Sequence, residues 1–579
     1  MLGSATYKSC VIIVSLLSVF QLWAQSTVPS GHVKYGSPVD YEISLAGNFG
    51  EPRPNHFHGG LDIKTAGVEG KPIYAIGDGY VSRITQGLSG FGYAVYVTHP
   101  EGFVSVYCHL KSFAPEVKQA LRNYQYQHFT CAADAHLAPE DCPVTKGQLI
   151  ALSGNTGSST APHLHLEIHE AETWDMLDPY EFIGDYISDS IPPTAHSLMV
   201  CPQRSEGVVN GSPDKQIFGF TSPQLEKTLT AWGRVGFALW ADDHMQKSYN
   251  YFGVRETVLK LDGHEIFHAV VDRVPVALNR QVNSWGDYDH WQHHKTWYLK
   301  SYIEPGNRLP ILSAKGQRGI VDFNEERDYH FEYILRDYKG NEARYSFTIR
   351  GTRTVIPHLQ GAPGVSEWSR LFRWNQTNSF SLPGRVQLVV PYGLLTTDVT
   401  ILPTVRQQSD GLSDAYCFCP KSCPLVTDGE ISIRADMEKI GRDSIVYTEP
   451  DPSKFYIRSN GKYVGGEYRQ GWVTGRIRDL GHVCELAYDD CPPVVKNHTG
   501  KEKTDVIRLS VTDKQSGLAS FTATIDGRFV VFEAMDKSSM VVCDLRETPV
   551  EKTGKIHKLR FTAVDNRSNV VTYETDIIY

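Results

Sequence analysis

The segment Gly154-Asn155-Thr156-Gly157-Ser158-Ser159-Thr160-Ala161-Pro162-His163-Leu164-His165-Leu166-Glu167 passes from a small-residue loop into an alternating run. Its period of two is that of a β-strand, where residues i and i+2 share a face. His163 and His165 therefore look into one space, and Leu164 and Leu166 into the opposite one. One imidazole can hold a metal while its neighbour handles a substrate proton. H-x-H alone is a cheap pattern, so its weight depends on what else the chain supplies.

Upstream stands Asn55-His56-Phe57-His58-Gly59-Gly60-Leu61-Asp62-Ile63. His58 and Asp62 would share a helix face, but Gly59-Gly60 disfavours a helix, and a loop entering a strand is expected. Two His and one Asp can bind zinc and leave a fourth position open, the pattern of catalytic sites. Such a zinc ion lowers the pKa of water to about 7 and polarises a carbonyl. His56 competes with His58 as ligand, and satisfied loop histidines are the bland alternative. Between these segments, Tyr107-Cys108-His109-Leu110 ends an apolar run. His109 and His163 would supply a proton acceptor and an oxyanion donor; the sequence leaves open which does which.

Taken in order, H-x-x-x-D, Tyr107-x-His109-Leu110 and G-x-T-G-x-S-x-x-P-H-L-H resemble the M23 metallopeptidases, the lysostaphin- and LytM-type peptidoglycan endopeptidases. The resemblance covers roughly residues 40–185, about a quarter of the chain. It implies a compact antiparallel β peptidase domain with its site in a groove across one sheet. It also implies His58, Asp62 and His165 as ligands of one Zn2+, with His109 and His163 as the catalytic pair. All five positions are intact, which argues for an active enzyme. Two departures stand out: an insert at about 114–143 after His109-Leu110, and a long tail unlike the common wall-targeting repeats. The insert could wall the groove, occlude it, or only pack.

Outside this block, a chain of 579 residues is expected to hold three to five domains. It is 41% hydrophobic with a net charge of -9, and its basic residues form no stripe, so nucleic acid is not an expected partner. Residues 1–25 read as a secretory signal: Lys8, then an apolar run from Val11 to Trp23, then Ala24. That predicts export to the periplasm or cell envelope, or secretion, with no membrane span after cleavage. Eleven cysteines in an exported chain suggest disulfides, with Cys131/Cys142 closing a loop and Cys484/Cys491 flanking a turn. A thiolate site at Cys417, Cys419 and Cys423 fits no common zinc spacing.

The fold class is mainly β: the peptidase domain at 29–189, then β-sandwich modules. Runs such as Pro72–Ile76, Gly92–Thr98 and Phe103–Tyr107 are strands bounded by Gly or Pro. Val117, Leu121 and Tyr124 give Ala114–Phe129 a helical face, with His128 a further candidate for it. D-x-x-P-P occurs at Asp189 and again at Asp489, Asp-Gly turns at Asp262 and Asp526, and D-x-x-x-N at Asp337 and Asp565. These repeats predict related Ig-like sandwiches at 190–352 and 489–579, flanking a β-rich module at 353–488. The tail resembles β modules attached to such peptidases in the Bacteroidetes, and could engage an envelope partner.

Asp287–His294 reads as a solvated loop, and His99, His136 and His169 as structural residues. Glu167 is balanced between orienting a ligand histidine and sitting on the rim. The leading expectation is a zinc endopeptidase cutting peptidoglycan peptide cross-links. The alternatives are a zinc peptidase acting on non-wall proteins, and a non-enzymatic envelope scaffold or hydrolase activator.

Overall fold

The computed structural model describes residues 33–358, 367–408, 411–435, 451–500 and 503–579. The expected signal at 1–25 lies outside them. The chain is mainly β. Among the described residues, no helix is long and apolar enough to cross a membrane.

The N-terminal sheet places the motifs. Its strands are β1 (Leu45–Gly47), β2 (Gly60–Lys64), β3 (Gly79–Gln86), β4 (Tyr93–Thr98), β5 (Phe103–Cys108), β6 (Asp134–His136) and β7 (His163–Glu170). Their spatial order is β1-β2-β7-β5-β4-β3-β6. All pairings in this run are antiparallel. The alternation in β7 does what its period predicts. Leu164, Leu166 and Ile168 are buried in the apolar core, while His165, Glu167 and His169 are buried on the other face. β7 is central, and its register sets His165 opposite Asp62 on β2 and opposite Cys108 on β5. Opposed Cβ atoms in such pairs are about 5 Å apart, so pairing alone brings ligand candidates together.

The expected helix spans Pro115–Gln127, with Val117 and Leu121 buried against the peptidase core and His128 exposed. Proline at its first position suits a helix start, where the missing N–H costs nothing.

The first module does not stand apart from the peptidase domain. Met176–Leu177 pairs with β7 on one side and with Arg273–Val274 of the module on the other. One apolar core runs from Tyr35 to Ile349. The Asp-Gly turns are present in both modules, with φ of 49° and 82° at Asp262-Gly263 and 50° and 78° at Asp526-Gly527. Residues 494–578 form two four-stranded sheets around a separate core. Between the modules, two five-stranded sheets enclose another core, which draws on residues 372–486.

The disulfide expectation is corrected. All ten described cysteines are free thiols. Cys142 belongs to the peptidase core, but Cys131 is buried in the core of the last module. There it accepts from Phe532 N at 3.4 Å. Two sulfurs in different cores cannot bond, whatever their spacing in the chain.

Candidate active site

β2, β7 and the end of β5 bring the predicted residues together. His58 Nε2 lies 2.9 Å from Asp62 Oδ1 and 3.0 Å from His165 Nδ1. His165 Nδ1 lies 2.8 Å from the same carboxylate oxygen, and His163 Nε2 3.3 Å from it. The His109 and His163 rings are 4.8 Å apart, centroid to centroid. His56 is exposed, with Nδ1 turned 3.0 Å from Pro54 O, and takes no part.

The far nitrogen of each ring is held by a partner that fixes which nitrogen faces inward. His58 Nδ1 meets Asn48 O at 2.6 Å, and His165 Nε2 meets Glu167 Oε1 at 2.9 Å. Asn48 O can only accept, so His58 Nδ1 carries a proton and, in the neutral ring, Nε2 presents a lone pair inward. Glu167 is in turn 2.6 Å from His169 Nε2, so His163, His165, Glu167 and His169 form one polar row along β7. Such partners orient ligand histidines in metal sites. Gly59 and Gly60 make room for this row: a Cβ on Gly59 would lie 2.4 Å from Glu167 Oε1, and one on Gly60 2.1 Å from Leu166 O. Arg53 Nη2 donates to the other Asp62 oxygen at 2.9 Å.

The catalytic candidates are held similarly. His109 Nδ1 faces Thr156 O at 2.8 Å, and His163 Nδ1 faces Ala161 O at 2.8 Å. His109 sits at φ 60°, uncommon for a residue with a side chain, and its N–H donates to Phe91 O at 2.9 Å.

Electrostatics match a cation-binding set. Burial lowers His58 to about 4, against the pull of Asp62. Burial also lowers His109 to about 3, helped by His165 and His163. Burial disfavours the charged form of His165, but its hydrogen bonds to Asp62 and Glu167 override this and raise it to about 9. Asp62, despite burial, is held well below the usual range by the surrounding imidazoles. The His58 lone pair and the Asp62 oxygen therefore face each other across 2.9 Å. That juxtaposition calls for a positive centre between them, which the proton on His165 supplies in part and a metal ion would supply fully. His58, Asp62 and His165 are one of three ligand-capable groups among the described residues, and the one containing imidazole.

Several contributors were not anticipated. Asn55 N donates to Asn283 Oδ1 at 3.0 Å, and Phe57 N to Asn279 Oδ1 at 2.6 Å, so the first module grips the loop before His58. At the loop before His163, Gly157 N donates to Asp536 Oδ1 at 2.8 Å. Lys537 Nζ donates to Asn155 O at 2.5 Å and Ser159 O at 2.9 Å. The last module thus clasps the loop before His163. The insert carries this docking. Lys118 pairs with Glu547 at 2.5 Å, Arg122 pairs with Glu533 and Glu547, and the Phe129 ring meets Phe529. Asp287–His294, read as a loop, includes a short helix at Tyr288–His294 that Asp287 caps. No ligand-capable group forms there among the described residues.

A family model described as peptidase family M23 matches residues 56–179, and one described as a Zu5-like domain matches residues 369–489. An uncharacterized metalloprotease of Haemophilus influenzae is 32% identical over 112 residues, which are 19% of this chain and 18% of that protein. Peptidoglycan DD-endopeptidase ShyA of Vibrio cholerae is 31% identical over 138 residues, 23% of this chain and 26% of that one. The match therefore spans about a fifth to a quarter of these two relatives. Lipoprotein NlpD of Yersinia enterocolitica is 30% identical over 103 residues, 18% of this chain and 81% of that sequence. Through residues 56–179, the chain belongs to peptidase family M23.

Proposed function

We propose that this chain is an exported zinc metalloendopeptidase that hydrolyses peptide cross-links of peptidoglycan. The observation that carries the reading is the meeting of His58, Asp62 and His165, each oriented from behind, beside the His109–His163 pair. The substrate class draws on the relative named as a peptidoglycan DD-endopeptidase.

His58, Asp62 and His165 would hold the zinc ion, which supplies Lewis acidity toward a carbonyl and acidifies water. Around it, the chain's own groups manage protons. His109 is neutral at physiological pH and has Nδ1 committed to Thr156 O, so its Nε2 lone pair is the base that accepts a proton from water. It then returns that proton to the departing amine. His163, whose Nδ1 is committed to Ala161 O and whose Nε2 lies beside Asp62, would be the donor toward the oxygen that gains charge in its doubly protonated form, with the second proton on Nε2. Glu167 and Asn48 O fix the ligand rings and keep their inward nitrogens available.

The test is digestion of purified peptidoglycan by the zinc-loaded chain, beside a panel of folded and unfolded proteins, with products resolved by mass. Split cross-links with new free amines are expected from peptidoglycan. Cleavage confined to the proteins would move the substrate outside the wall. No cleavage of either by zinc-loaded chain would defeat the proposal.

A further inference from the structure

Both Asp-marked modules gather three carboxylates at their entrance. In the first module these are Asp189, Asp243 and Asp337; in the last they are Asp489, Asp513 and Asp565. The positions correspond. The first residue of each set opens D-x-x-P-P, and the second follows a core strand (Leu229–Asp242, Val506–Thr512). The third begins D-x-x-x-N and receives the asparagine's side-chain amide (Asn341, 2.6 Å; Asn569, 2.7 Å).

The sets differ in how their oxygens are used. In the last module, Asp489 accepts from Cys491 N and Ser516 N, Asp513 from Gln515 N and Gly517 N, and Asp565 from Arg567 and Asn569. In the first, Asp189 accepts from Ile191 N, and Asp337 from Asn341. Asp243 is 6% exposed, and its Oδ1 is buried with no hydrogen-bond partner. An unsatisfied carboxylate oxygen at that depth carries a heavy desolvation cost. Among the described residues, no lysine or arginine pairs with any of the three. Arg255, which lines the same small cavity, pairs instead with Glu181 at 2.6 Å, and Lys339 donates to Gly184 O at 2.7 Å.

We propose that Asp189, Asp243 and Asp337 form a site for a hard divalent cation of calcium size, clamping the first module to the peptidase domain. The three ligand oxygens lie within 4.8 Å of one another. Oxygens on opposite sides of a calcium ion, each about 2.4 Å from it, are separated by about 4.8 Å. An all-carboxylate set selects hard cations over zinc. Three such carboxylates cannot all stay ionised without a proton or a cation among them. Burial and the other two push Asp243 up to about 8, and burial pushes Asp189 up to about 6. The cavity is shared with Asn48, Asp178 and Tyr180 of the peptidase domain, and Asn48 is the residue whose carbonyl orients His58.

The full chain, stripped of metal and reloaded with one equivalent of zinc, is titrated with calcium chloride by calorimetry and then melted. Wild type is expected to take up calcium and melt several degrees higher. Asp243→Asn is expected to bind one equivalent fewer and to lose most of the rise, with zinc retained. Terbium on the wild-type chain gives a variant-free readout, because Tyr180 and Tyr338 line the cavity and should sensitise its emission, which calcium then quenches. No calcium uptake at millimolar concentration together with no sensitised terbium emission would overturn the proposal. So would undiminished calcium binding by folded Asp243→Asn.

Discussion

The two Asp-marked modules meet the peptidase domain at different loops of its candidate site and by different means. The first continues the peptidase sheet through Met176–Leu177 and Arg273–Val274 and shares its apolar core. The last has a core of its own, into which the peptidase domain sends Cys131, and also holds on through ion pairs, side-chain-to-backbone hydrogen bonds and the Phe129–Phe529 ring contact. Each grips a loop leading to a candidate site histidine: residues 55–57 before His58 in one case, 155–159 before His163 in the other. A continuous core makes the first module part of the fold that carries the His58 loop. The hydrogen bonds of Asp536 and Lys537 make the last module a support for the loop before His163.

The largest effect should come from cutting the shared core. Phe57 is 1% exposed and packs on Trp285 of the first module, with ring centroids 5.9 Å apart. Phe57→Ala should cost about 3–5 kcal/mol. In calorimetry it should lower one transition belonging to both units; separate shifts of two transitions would break the comparison.

A smaller effect is expected on the other side. Lys537→Ala removes two charge-assisted hydrogen bonds from the loop before His163, worth about 1–2 kcal/mol together given partial exposure. It should lower kcat/KM roughly five- to tenfold, with zinc content and the main melting transition unchanged. Unaltered turnover would reduce the last module to a passive neighbour.

How much of this was legible in the sequence follows from distance along the chain. The β7 ladder and H-x-x-x-D declared themselves through local period and spacing. The same period extends to Glu167 and His169, although His169 carried no partner signal in the sequence. Asn279, Asn283, Asp536 and Lys537 sit hundreds of residues from the loops they hold, and no local pattern marks them. Cys131 was misjudged for a related reason: eleven residues from Cys142 in the chain, it is buried in another module. The Asp-Gly turns and the D-x-x-x-N repeats were legible because φ > 0 and side-chain-to-backbone bonds demand particular residues locally.

The subtlest expected signal is in pH. From an ordinary value near 6.5, His58 falls to about 4 and His109 to about 3 in the metal-free chain. Between roughly pH 3 and 6.5 the unfolded chain therefore binds more protons, and stability is lost as pH falls through that window. His165, raised to about 9, has the opposite sign: its contribution is full below about 6.5 and lost as pH rises toward 9. Metal-free protein should melt highest near about pH 6.5. Zinc would replace the His165 proton, so binding at about pH 7.5 should release close to one proton, measured by calorimetry in buffers of different ionisation enthalpy. Zinc uptake without proton release would contradict this picture of His165.

The most direct test of the central claim measures zinc content and peptidoglycan cleavage together in wild type, His165→Ala and His109→Ala. The account predicts about one zinc and cleavage in wild type, neither in His165→Ala, and zinc without cleavage in His109→Ala, with kcat down by a factor on the order of 100 or more. Full zinc in His165→Ala, or undiminished cleavage by His109→Ala, would contradict it.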